Sequence, residues 1–132
     1  MADPIGKALG SGRAGGTRLF VLFVPSVDRD GKPIEHDRWV DRALTILGTL
    51  FRGATAYPRG RGKWRDDERG GKLVTDEPTM VILYAEPKAV TPANLKRLRE
   101  FPHRPGREAN QGKVGIVIDG EYRGITKYDK ES

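Results

Sequence analysis

Cysteine is absent from this 132-residue chain, and histidine occurs only at His36 and His103. Disulfides, thiolate zinc sites, cysteine nucleophiles and a multi-histidine metal centre within one chain are thereby excluded. The missing thiols fit a cytoplasmic protein. No stretch approaches the roughly 20 consecutive apolar residues a membrane span requires, so no membrane partner is expected. Residues 1–16 lack the apolar segment of a secretory signal. Their glycine, alanine and serine content, with Lys7 and Arg13, predicts a flexible N-terminal arm.

Several chemical signatures are missing too. Gly6-Lys7 and Gly31-Lys32 are followed by Ala8 and Pro33, so neither completes a phosphate-binding P-loop. Gly60, Gly62 and Gly70-Gly71 precede no helical pattern, which rules out a dinucleotide fingerprint. No Gly-x-Ser-x-Gly occurs. Asp28-Arg29-Asp30-Gly31 begins like a calcium loop but lacks its later carboxylates, and reads as a turn. No cofactor and no resident metal is expected.

What is present begins with charge. The net charge is +6, and two segments hold most of the excess. Arg59 to Lys72 carries six basic groups, three carboxylates, four glycines and Trp64. Lys96 to Arg107 carries five basic groups and one acid, Glu100. Local excesses of this kind point to an anionic partner such as nucleic acid, phosphate or an acidic protein surface, or serve solubility alone.

Hydrophobic periodicity supplies the elements. Arg18–Pro25 reads as a strand apolar on both faces, hence covered on both. Residues 35–51 place Trp39, Val40, Ala43, Leu44, Leu47, Leu50 and Phe51 on one helical stripe, ended by Gly53. Ala54–Tyr57 is a short strand stopped by Pro58, and Leu73–Val74 with Trp64 suggests a small hairpin arm. Thr79–Ala85 is a second strand apolar on both faces. Thr91-Pro92 starts a helix expected to weaken at Pro102 and Pro105. Val114–Ile118, a turn at Asp119-Gly120 and a short edge strand at 122–126 follow, before a polar tail over 127–132.

That order predicts an α+β fold: a ferredoxin-like βαββαβ domain over residues 17–126, with an extra C-terminal hairpin strand and a long charged arm between the second and third strands. Its two central strands should be the first and third, the two that are apolar on both faces. Two helices cover one face of such a sheet. A second copy, giving a homodimer, or the arm of residues 59–77 folding back must cover the other. The layout resembles a family of small bacterial ferredoxin-like proteins of uncharacterised function. The carrying residues are Leu19–Val24, the helix around Trp39, Gly53-Ala54-Thr55-Ala56 leading to Trp64-Arg65-Asp66, and Val81–Tyr84. The resemblance implies the fold and dimers, and carries no activity.

Two functional expectations follow. In the first, the chain is a non-catalytic dimerising module that grips a protein or nucleic acid through Arg59, Arg61, Lys63, Trp64, Arg65 and Arg69 of the arm with Arg104 and Arg107 of the second helix. Trp64 either stacks on a base or anchors the arm, with Arg65 pairing to Asp67 or Glu77. The alternative is a small enzyme, a metal-dependent nuclease or another hydrolase or isomerase, whose pocket lies between arm and sheet. There Trp64 is a wall, Arg65 binds an anion, and Asp66 or His103 does acid–base work. Asp28, Asp66, Asp67, Glu68, Asp76 and Glu77 supply carboxylates for a divalent ion, but Asp66 and Asp67, adjacent on an extended arm, face opposite ways. A concave cluster of titratable groups would favour the enzyme; a flat basic face would favour the module.

Overall fold

The structure is a computed structural model that describes residues 3–12 and 15–129. The first strand, β1 (Arg18–Val24), buries Phe20, Leu22 and Val24 on one face and leaves Leu19, Val21 and Phe23 half-buried on the other. It pairs antiparallel with both β5 (Thr79–Ala85) and β6 (Val114–Ile118). β2 (Thr55–Tyr57) and β7 (Glu121–Ile125) form the edges, giving the order β2-β5-β1-β6-β7. This is the ferredoxin-like arrangement with one added edge strand, and the two strands apolar on both faces lie inside the sheet, as their composition requires. At the β6–β7 turn Asp119 and Gly120 have φ of 52° and 84°, the left-handed pair a two-residue hairpin needs.

Helices α2 (His36–Phe51) and α3 (Pro92–Glu108) cover one face. Trp39, Ala43, Leu47 and Phe51 meet Leu98 and Phe101 over Phe20, Leu22, Val81 and Leu83. His36 pins the start of α2. Its Nδ1 donates to the Pro25 carbonyl at 2.7 Å, and its Nε2 lies 2.6 Å from the Thr79 hydroxyl. The left-handed cap of α2 falls on Arg52, φ 73°, and not on Gly53.

Three segments differ from expectation. α3 runs unbroken through Pro102 and Pro105. Both rings are buried, together with Phe101, His103 and Gly106, so packing offsets the lost backbone bonds. The tail is not simply polar. Tyr128 lies over Gly106, where a Cβ would come within 2.1 Å of its ring, and the Asp129 N–H donates to His103 Nδ1 at 2.9 Å. In the N-terminal arm, α1 (Pro4–Leu9) forms a short helix capped by Asp3, whose carboxylate accepts from the Gly6 N–H at 3.0 Å.

Candidate active site

The charged connection folds as a second, two-stranded sheet. β3 (Gly62–Asp66) pairs with β4 (Lys72–Asp76), setting Trp64 opposite Val74 and Gly62 opposite Asp76. Alternation sends Trp64, Asp66, Val74 and Asp76 inward and Lys63, Arg65, Leu73 and Thr75 outward. Gly70 and Gly71, at φ 72° and 79°, make the turn after a short 3₁₀ segment at Asp67–Arg69.

Two polar rivets hold this hairpin to the loop after β1. Asp66, buried at 4% side-chain exposure, accepts from Arg29 Nη2 at 3.1 and 3.0 Å. The Asp66 carboxylate holds the Arg29 guanidinium above its usual pKa. Asp76 accepts from the Ser26 N–H at 2.9 Å and the Ser26 hydroxyl at 2.7 Å, and the same hydroxyl oxygen accepts from the Glu77 N–H at 3.1 Å. Asp28 turns the loop itself, its carboxylate accepting from the N–H groups of Asp30 and Lys32 at 2.8 and 3.0 Å. Trp64 closes against Gly112, where a Cβ would stand 2.8 Å from the indole.

The hairpin thus arches over one end of the sheet face that the helices leave free, and a cavity of about 420 Å³ lies beneath it. Phe23 and Gly115 line it from the sheet, Tyr122 from β7, and Trp64 and Asp76 from the hairpin. Lys63 and Arg65 border it with their side chains turned outward, Lys113 brings positive charge, and Asp76 is its one acidic lining residue among the described residues. Gln111 also lines it, its amide fixed by donation to the Val27 carbonyl at 2.8 Å. Partial burial pushes the Tyr122 phenol above its ordinary pKa although the residue stays 57% exposed, and its hydroxyl is a neutral hydrogen-bonding group at the cavity's edge.

The residues singled out by sequence separate into two groups. Lys63, Trp64 and Arg65 border the cavity, and of the three only Trp64 turns its side chain inward. Arg65 pairs with Asp67 at 2.5 Å, Arg59 lies 3.8 Å from Glu77, and Arg69 pairs with Asp30. Arg61 is exposed on the approach to β3. Asp66 is a structural anchor, occupied by Arg29. Arg104 and Arg107 sit on α3 and engage Glu108 at 3.1 Å and the Asp129 carbonyl at 2.6 Å. His103 is buried beneath the tail and does not line the cavity. Sequence reasoning missed Arg29, Ser26, Phe23, Lys113 and Tyr122 as parts of one site, and counted Asp76 only among possible metal ligands. The available signal was the pair of short polar residues flanking apolar strands, Ser26 after β1 and Asp76 before β5.

No family model and no curated protein matches the sequence. Two solved structures share the fold. A phage SAM lyase in complex with S-methyl-5'-thioadenosine superposes with a TM-score of 0.65 and 17% identity, covering 89% of this chain and 95% of that one. A phage SAM lyase in its apo state gives 0.59 and 18%, covering 91% and 98%. Both likenesses are of fold. They correct the expectation of a non-catalytic module: both of these chains are enzymes, and the hairpin arches over a cavity where the module required a flat basic face.

Proposed function

We propose that this chain is a small lyase that takes S-adenosylmethionine into the cavity between hairpin and sheet and breaks its C–S bond, releasing S-methyl-5'-thioadenosine. The observation that carries the reading is one carboxylate, Asp76, set among three aromatic rings, Phe23, Trp64 and Tyr122, in a cavity of about 420 Å³. That volume falls in the range of about 300–1,000 Å³ of small-molecule sites. The fold likeness to a lyase that holds the same nucleoside supports it.

The chemistry suits these walls. The substrate carries a flat adenine, a sulfonium cation and an amino acid end with both charges. Aromatic faces accept the adenine by stacking and the sulfonium through their quadrupoles. Asp76, oriented by both donors of Ser26, takes a cationic group of the substrate. Among the described residues no carboxylate pairs with Lys113, which leaves it for the substrate carboxylate. When the C–S bond breaks, its electron pair stays on sulfur and the sulfonium becomes a neutral thioether. The carbon left behind is satisfied from within the same substrate: its own carboxylate oxygen forms the new C–O bond as the C–S bond breaks, so neither an outside base nor water takes part. Charge is dispersed as the bond stretches, and the apolar faces of Phe23, Trp64 and Tyr122 favour that change over the charged ground state.

Purified protein incubated with S-adenosylmethionine should form S-methyl-5'-thioadenosine, read by liquid chromatography and mass spectrometry. Asp76→Asn should raise KM roughly tenfold, the worth of one charge-assisted hydrogen bond. No thioadenosine above the uncatalysed background, with folded protein, would overturn the assignment.

A further inference from the structure

Gln111 lines the cavity with a side chain that is held from one end only. It follows α3 in a turn clamped to the loop after β1. Asn110, at φ 48°, bends the chain there; its carbonyl accepts from the Arg29 N–H at 3.0 Å and its amide donates to Asp30 at 2.9 Å. The Gln111 N–H donates to the Gly106 carbonyl at 3.2 Å. The residue is 6% exposed, and its Nε2 uses both hydrogens, on the Val27 carbonyl at 2.8 Å and the Ala109 carbonyl at 3.2 Å. Those partners only accept, so they settle which end of the amide is nitrogen. Oε1 is left with no donor among the described residues, and it retains accessible surface. A nearly buried carbonyl fixed in place with its lone pairs unused is an acceptor without a partner. The Trp64 indole stands beside it, closed against the next residue, Gly112.

We infer that Gln111 reads the base of the substrate, its Oε1 accepting a hydrogen bond from the exocyclic amine of adenine while the ring lies on the Trp64 indole. This rests on the lyase reading of the cavity and adds to it a selection for adenine over hypoxanthine. The substrate ammonium goes to Asp76 instead, because a carboxylate outcompetes a neutral amide for a cation. Hypoxanthine carries a carbonyl where adenine has its amine, so it would meet Oε1 acceptor to acceptor. The bonds to Val27 and Ala109 keep the amide from turning over to relieve that clash. Gln111 sets specificity and takes no part in breaking the C–S bond.

The test is a calorimetric titration of the full chain with S-methyl-5'-thioadenosine and with S-methyl-5'-thioinosine, its hypoxanthine counterpart. The adenine compound should bind about tenfold more tightly, the worth of one hydrogen bond against one unrelieved acceptor pair. Gln111→Leu removes the acceptor and should bring the two affinities within about threefold of each other. A merely structural role would weaken both alike and leave their ratio unchanged. Leucine also leaves the Val27 and Ala109 carbonyls without their donor, which threatens the fold, so the wild-type ratio is the deciding measurement. Equal binding of the two nucleosides by the wild type, or an unchanged ratio in folded Gln111→Leu, would overturn the role of Gln111 and leave the lyase reading standing. Binding of neither would overturn it too, and the lyase assay then decides whether the reading of the cavity falls with it.

Discussion

At the scale of single residues, the structure reassigns the two groups first considered for acid–base work. Asp66 is committed to Arg29, and His103 accepts a backbone N–H from the tail, so its Nδ1 must be unprotonated. Burial lowers the His103 pKa below 6.5, the Asp129 carboxylate opposes that shift, and Arg99 and Arg107 reinforce it. The Tyr128 ring packs edge-on against the same imidazole. Above pH 6.5 the folded and unfolded chains both keep this ring neutral. As pH falls from 6.5 toward the lower folded pKa, the unfolded chain binds the extra proton and stability declines. Calorimetry should therefore show a fall in Tm between pH 7.5 and 5.5 that is shallower in His103→Gln. Equal slopes would remove His103 as the latch of the tail. None of this was legible in the sequence, because the contact joins residues 26 positions apart. The same reason hid the Ser26–Asp76 rivet, which spans 50.

At the scale of elements, periodic segments were legible and irregular ones less so. β1, α2 and β5 follow from side-chain alternation or a helical stripe, because burial of one face dictates both pattern and structure. The hairpin was visible only as Trp64 and Leu73–Val74 between glycines; its register and its docking depend on Asp66, Asp76 and Gly112, which carry no local signal. α3 shows the converse, a local rule about proline overridden by tertiary packing. Gly112 provides the element-scale test. Its missing Cβ lets the Trp64 indole close the hairpin onto the sheet, where a methyl would stand 2.8 Å from the ring. Gly112→Ala should lift the hairpin, cost about 1–3 kcal/mol as overpacking does, and reduce the proposed lyase turnover. Unaltered stability and Trp64 fluorescence would show that the close approach is not needed.

At the scale of the whole molecule, topology was the most legible feature and the uncovered sheet face the most consequential. The hairpin covers only the end of that face near Phe23 and Gly115. Beyond it, Leu19, Val21, Met80 and Ile82 remain half-buried, flanked by Tyr57 at 49% and Tyr84 at 66% exposure. Cross-strand pairs Val21–Ile82 and Leu19–Tyr84 make this strip continuous, and it holds no charged side chain. On a chain of net charge +6 the cations therefore lie outside it, and a strip without charge gives a nucleic acid nothing to neutralise. A second copy offers a surface of the same character, and a twofold axis lets like meet like without juxtaposing charges. Light scattering coupled to size exclusion should return twice 14.6 kDa for the wild type. Ile82→Glu, placed in the middle of the strip, should return 14.6 kDa with an unchanged circular dichroism spectrum. A wild-type monomer across the accessible concentration range would defeat the homodimer, and a dimer indifferent to Ile82→Glu would move its interface to another face.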